Sequence, residues 1–346
     1  MTIKTITGSI DENEAGFIAP HEHIFIDISH QFITPDAISK RRLAKERVSI
    51  SNLDVLSRNP FLVIDNLILD DEETAVDEVR RFKNAGGGTL TDVTPKGIGR
   101  DPEALHRVSV QSGVHVIAGC GYYTGDTHPD ALSEMSINDL AESFLTDIEV
   151  GIEGTRFKAG VIGEIGTSKI VSEKEKKNVE AAAVAQKKSG LGVHIHTYPW
   201  GNRGLEVIDL MKKHGCDIGK VVIDHIDVEF DMNYCRSLMN AGAFIEFDDF
   251  SKEFYIDSFE RKQFAGGIFV TDYERVIALK QFVDDGYVDH ILITCDICLK
   301  TLLHRYGGWG YDHILAHIIP MMREVGVKER DIETIVYRNP VRLLGV

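Results

Sequence analysis

The chain has 346 residues, 43% hydrophobic and 27% charged, the balance of a soluble globular protein with room for one large domain or two ordinary ones. Its formal net charge of −16 argues against nucleic acid or an anionic membrane surface as the main partner. No apolar run approaches the length of a spanning helix, so a small-molecule partner is expected rather than a membrane.

Met1 to Glu14 lacks the basic region and apolar stretch of a signal peptide, so a cytoplasmic location is expected. The first apolar run, Gly16–His23, ends in His21-Glu22-His23. In a strand, residues i and i+2 share a face, about 6.6 Å apart along it. Two imidazoles placed that way can grip one metal ion from one side. His30 to Leu69 is long and rich in charge, an excursion after the first strand. Asp71 to Ala85 reads as a helix, with acidic residues in its first turn and a stripe of Ala75, Val79 and Phe82 before Gly86-Gly87-Gly88. Strand-like runs follow at Gly88–Thr94, Val114–Tyr122 and Ala159–Ile165. Ser172 with Glu175 forms a capping box; Val179, Ala183 and Gln186 continue that helix until Gly190 stops it. Further runs are Gly192–Thr197, Val221–Ile226, Ala243–Phe247 and Ile291–Asp296. Asp248 to Thr271 is a second excursion, after the seventh run.

Several of these eight runs are too continuously apolar for a half-exposed sheet, the mark of parallel strands covered on both faces. Eight β/α alternations predict an α/β fold, a closed (β/α)₈ TIM barrel with long loops after strands 1 and 7. An open doubly wound sheet is the alternative, but no Gly-x-Gly-x-x-Gly follows the first strand. Without a linker, repeat or low-complexity segment, residues 1–346 read as one domain. Both excursions lie at the carboxyl ends of strands, where barrels build active sites and long loops act as lids.

Ligand-type residues recur at those ends. The fourth run ends near Glu164, the fifth near His196, the sixth in Asp224-His225 and the eighth in Asp296. Imidazole and carboxylate suit zinc and similar divalent ions. A carboxylate can bridge two such ions about 3.5–4 Å apart, which lower the pKa of a shared water and polarise a carbonyl or phosphoryl oxygen. A further carboxylate can carry the proton to the leaving group. His194 shares a face with His196 and is a rival ligand one layer deeper. Lys158, six residues before Glu164, is a rival bridge through carbamylation, but about 20 Å deeper along an ideal strand.

Other residues near strand ends are candidates for substrate contact. Tyr122 and Tyr123 end the third strand, so one faces the mouth and the other away. Arg100, Lys300, Arg305 and Trp309 follow strand ends. His30, His106, His115, His128, His214, His290, His304, His313 and His317 have no station in the pattern and read as surface or packing residues. Five scattered cysteines, odd in number, fit a reducing compartment without a disulfide framework. Cys295-x-x-Cys298 lacks a second pair and reads as two small apolar fillers.

The chain resembles the phosphotriesterase family of the amidohydrolase superfamily, and within it the phosphotriesterase-related proteins. The resemblance runs from Pro20-His21-Glu22-His23 through Gly163-Glu164-Ile165-Gly166, His196-Thr197, Asp224-His225 and Asp296 to Arg338-Asn339-Pro340. Gly119-Cys120-Gly121-Tyr122-Tyr123 and Tyr306-Gly307-Gly308-Trp309-Gly310-Tyr311 are similar to stretches of that subgroup. It implies a binuclear metal-dependent hydrolase. His21, His23 and Asp296 would hold one ion, His196 and His225 the other, with a bridge from the fourth strand. In the organophosphate-hydrolysing branch that bridge is a carbamylated lysine; here Glu164 stands there. The resemblance thus implies a bridging hydroxide attacking a lactone, carboxylic ester or N-acyl bond, with Asp296 as proton shuttle. Phosphoester hydrolysis is the alternative, and a metal-retaining binding protein without catalysis is the alternative of another class. Two divalent ions are expected, zinc first, with manganese, cobalt or iron as options. A homodimer is left open.

Overall fold

The computed structural model describes residues 1–35, 37–256 and 267–346. Its core is one sheet of eight parallel strands, each hydrogen-bonded to the next in chain order. They are β1 Phe17–Glu22, β2 Gly87–Asp92, β3 His115–Cys120, β4 Val161–Gly166, β5 Val193–His196, β6 Val221–Ile223, β7 Phe244–Phe247 and β8 Ile291–Ile293. Helices fill the intervals, so the sheet is the barrel that the alternation requires. The helix expected from its capping box spans Glu173–Ser189, with Ser172 as cap and Gly190 in the left-handed conformation at its end. The Asp71-capped helix spans Glu72–Asn84.

The continuous apolar runs are explained by burial on both faces. Ile18, Ile117, Val161, Val222, Phe244 and Leu292 form a separate cluster with Ile3 and with Val341, Leu343 and Leu344 of the last helix. Alternate residues such as Val116, Ile162, Ile195 and Ile223 join the large cluster beneath the helices. Reciprocal backbone bonds between Thr2 and Val346 tie the two chain ends together.

Two departures from a regular barrel shape the mouth. The pairing of β4 with β5 slips between Ile162 and Ile165. A one-residue slip reverses which face a side chain meets, and here it lets Val161 and Glu164, three apart, both turn inward. Gly163, at φ 126°, takes the kink, and a Cβ there would stand 2.7 Å from the His194 carbonyl oxygen.

The second departure is at the closure. β8 and β1 share no backbone ladder. The Glu22 carboxylate stitches them instead, accepting from Thr294 Oγ1 (2.6 Å), Cys295 N (2.9 Å) and Ile297 N (2.7 Å). Glu22 alternates with His21 and His23, so a strand that aims two imidazoles inward aims the carboxylate sideways into the seam.

The excursion after β1 is pinned by an antiparallel pair, Ile26–Asp27 with Ile68–Leu69, and built around Val48, Leu56 and Val63. The excursion after β7 begins with a buried turn and includes Tyr255–Ile256 paired with Gly267–Ile268. Residues 257–266 of that expected excursion lie outside the described residues. No helix among the described residues is long and apolar enough to cross a membrane.

Candidate metal centre

Six side chains converge at the carboxyl end of the barrel. His21 is fully buried, and Glu246 Oε2 stands 3.0 Å from its Nδ1. Its Nε2 has no hydrogen-bond partner among the described residues and points between Glu164 Oε1 (3.8 Å) and Asp296 Oδ1 (3.7 Å). His23 repeats the pattern: Thr94 Oγ1 lies 2.7 Å from Nδ1, and Nε2 faces Asp296 Oδ1 at 3.1 Å. His225 does so again, with Asp248 Oδ1 3.0 Å from Nδ1 and Glu164 Oε1 2.9 Å from Nε2. His196 Nδ1 lies 2.8 Å from Glu164 Oε1 and 2.9 Å from His225 Nε2.

These donor types could hold a divalent ion. In three histidines one ring nitrogen is anchored by an oxygen and the other faces the centre. A fully buried nitrogen such as His21 Nε2 is costly without a partner, and a cation supplies one. Glu164 stands between the two groups, with Oε1 beside His196 and His225 and Oε2 3.9 Å from His23. Two ligand triads, His21-His23-Glu164 and Glu164-His196-His225, share it.

The backbone is bent to achieve this. His225 and Asp296 have φ of 59° and 44°, a region that costs non-glycine residues energy and collects at functional sites. Each is held in place. Asp248 Oδ2 accepts from His225 N at 2.8 Å, and Glu22 grips the amides of Cys295 and Ile297 on either side of Asp296.

Electrostatics follow the same geometry. Burial pushes Glu164 up, but the neighbouring His196, His225 and His21 hold it well below the usual carboxylate range. Burial opposes charge on His21, yet Asp224, Glu246 and Glu164 outweigh it and raise the imidazole well above its ordinary value. Asp296 is likewise held low against burial, chiefly by Lys252. Burial drives Asp248 to about 6 and Glu22 to about 7.

Over the centre lies a small chamber of about 30 Å³. Ile26, Ile28, Phe61, Phe254, Phe269 and Leu299 make it apolar; Gln31, Tyr123, Cys298 and Lys252 add polar atoms. Tyr123 is the inward member of the tyrosine pair, its hydroxyl 3.2 Å from His196 Nδ1, and burial raises its phenol well above the ordinary value. Tyr122 alternates away from the mouth and packs against Phe144 and His128.

Three expected substrate contacts stand elsewhere. Arg100 turns to the outer side of the barrel, bonded to the Gly119 carbonyl and Asp147, which satisfy its charge there. Lys300 is spent on Asp65 at 2.8 Å, fastening the first excursion. Trp309 is 41% exposed and stacks on His313. None of the three lines the chamber, and neither does Arg305. His194 lies deeper, between Asp224 and Glu246, and Lys158 opens to a groove with Lys4 and Thr7, away from the centre.

Glu22, Thr94, Glu246, Asp248 and Lys252 were missed from sequence. Asp248 follows the seventh strand run directly, the same signal that marks the candidate ligands. The others announce themselves only by what they touch.

The model of the phosphotriesterase family matches residues 1–344. The chain belongs to the phosphotriesterase family. This family lies in the amidohydrolase superfamily. Among curated relatives, the N-acetyltaurine hydrolase of Salmo salar is 35% identical over 99% of this chain and 97% of its own. The phosphotriesterase-related protein of Nematostella vectensis is 34% identical over 97% and 96%. Among solved structures, a resiniferatoxin-binding protein from Rhodobacter sphaeroides superposes with a TM-score of 0.95 at 33% identity, covering 99% of this chain and 94% of that one. A metal-binding cluster in a barrel of this family is consistent with a metal-dependent hydrolase acting on esters or amides.

Proposed function

We propose that this chain is a binuclear metal-dependent hydrolase that cleaves an N-acyl bond, with carboxylic esters and lactones as substrates of the same carbonyl chemistry. The observation that carries the reading is Glu164, a carboxylate lying between two triads of metal-type donors. His21, His23 and Asp296 would hold one ion and His196 and His225 the other, with Glu164 common to both. Zinc is the first ion to test. The choice of an N-acyl bond draws on the N-acetyltaurine hydrolases, about a third identical over nearly the whole chain.

When bound, two divalent ions supply Lewis acidity and lower the pKa of water. The chain's own groups do the rest. Asp296 takes the proton from the attacking water as its oxygen bonds to the acyl carbon. The carbon–nitrogen bond then breaks, and the nitrogen receives that proton, releasing a carboxylate and an amine. The Tyr123 hydroxyl, kept protonated by burial, can donate to the acyl oxygen. The apolar walls exclude competing water.

The test is acetate or acid release from a panel of N-acyl compounds, esters, lactones and phosphotriesters, with zinc or manganese added. N-acyl turnover accompanied by about two ions per chain is expected. A binding protein without turnover is the second reading, favoured by the apolar chamber and the likeness to the resiniferatoxin-binding structure. Retained ligand binding with no hydrolysis across the panel would establish it.

A further inference from the structure

Lys252 is the only lysine or arginine lining the chamber among the described residues. It is 2% exposed. Its ammonium pairs with Asp296 and lies 2.9 Å from Asp249 Oδ1. An ammonium has three N–H donors; among the described residues one goes to Asp296, while Asp249 pairs with it by charge without an aligned hydrogen bond. Of the chamber lining, Phe254, Phe269 and Leu299 offer no side-chain acceptor, and Cys298 adds a thiol near the ammonium.

The loop is built to aim this side chain. Ser251, just before it, has φ 76°. That bend is clamped: Ser251 N donates to Asp272 Oδ1 at 3.1 Å, and Lys252 N donates to the Asp249 carbonyl at 3.0 Å. Arg275, fully buried and paired with Asp227 and Asp272, donates to the Lys252 carbonyl. A strained turn held by a buried ion network is a costly way to place a lysine that only neutralises Asp249. It suits a lysine that must present charge at one point.

We propose that Lys252 is a substrate-binding residue whose ammonium receives an anionic group, a carboxylate or sulfonate, carried by the substrate a few bonds from the scissile carbonyl. Its contact with Asp296 places that charge beside the reacting bond, so the substrate would be an N-acyl amino acid or N-acyl aminosulfonate. Neutral amides of the same shape would offer the ammonium only an uncharged acceptor, without the charge-assisted bond. The inference rests on the N-acyl reading for its substrate class.

Acetate release is measured from N-acetyl-β-alanine, N-acetyltaurine and the neutral N-acetyl-β-alaninamide. The wild type should prefer the acids over the amide in kcat/KM by about tenfold or more, the scale of one hydrogen bond to a charged group. Lys252→Met should bring that ratio near one. Should Lys252→Met fail to fold by circular dichroism, Lys252→Gln takes its place. A purely structural Lys252 would slow acid and amide alike and leave the ratio unchanged, which overturns the proposal; so does a wild-type ratio near one. If none of the three compounds is hydrolysed, the N-acyl reading fails by itself. Calorimetric binding of N-acetyl-β-alanine and its amide then decides on Lys252: tighter acid binding lost in Lys252→Met supports its role, and equal binding overturns it.

Discussion

Glu22→Ala should cost far more than a typical surface change, although Glu22 is not a metal-ligand candidate. Its carboxylate is the acceptor for two backbone amides, Cys295 and Ile297, at a seam that has no strand ladder. Truncation leaves both amides buried without a partner, at about 1–3 kcal/mol each, and removes the Thr294 bond as well. The sum is about 2.5–7.5 kcal/mol, before any relaxation. Because those two amides flank Asp296, the loss should also loosen a proposed ligand of the candidate metal centre. Glu22→Gln keeps one acceptor oxygen but turns an NH2 group towards the seam, and should fall in between. Urea denaturation of the metal-loaded protein, with elemental analysis of the same samples, reads both effects. A Glu22→Ala protein within about 1 kcal/mol of wild type, with full metal content, would refute the idea that this side chain closes the barrel.

Asp296→Asn in metal-replete protein should lower kcat by about a hundredfold or more, because the proton carrier is lost; a rate near wild type in a stopped-flow assay would exclude that role. Glu164→Ala should lose the second ion and most activity, since the remaining donors cannot hold two cations close together against their repulsion. Lys158→Ala should retain both ions, and reconstitution of metal-free protein should ignore added bicarbonate; a bicarbonate requirement abolished by Lys158→Ala would reverse the assignment of the bridge. Glu246→Ala frees the Nδ1 side of His21 and should weaken metal affinity by about 10–100-fold, measured by competition with a chelating dye.

The barrel and its metal-type stations were legible because they are local. Strand-length apolar runs report burial on both faces, and His21, His23, Glu164, His196, His225 and Asp296 each sit within a few residues of such a run's end. Parallel topology then sends all those ends to one mouth. Capping boxes, as at Ser172 and Glu175, were readable for the same reason: three residues decide them.

What the tertiary structure alone decided is every property set by a partner distant in sequence. Which tyrosine faces inward depends on the path of the chain beyond β3, since Cys120 ends the strand before Tyr122 and Tyr123. Arg100 and Lys300 follow strand ends as the candidate ligands do, yet carboxylates 47 and 235 residues away draw them from the mouth. Glu22 gains its role from amides more than 270 residues on, and Lys252 from a turn held by Arg275 and Asp272. Short-range pattern determines which face a residue offers; long-range packing determines what meets it, because hydrogen bonds and ion pairs are specific to distance and direction and leave no periodic trace in the chain.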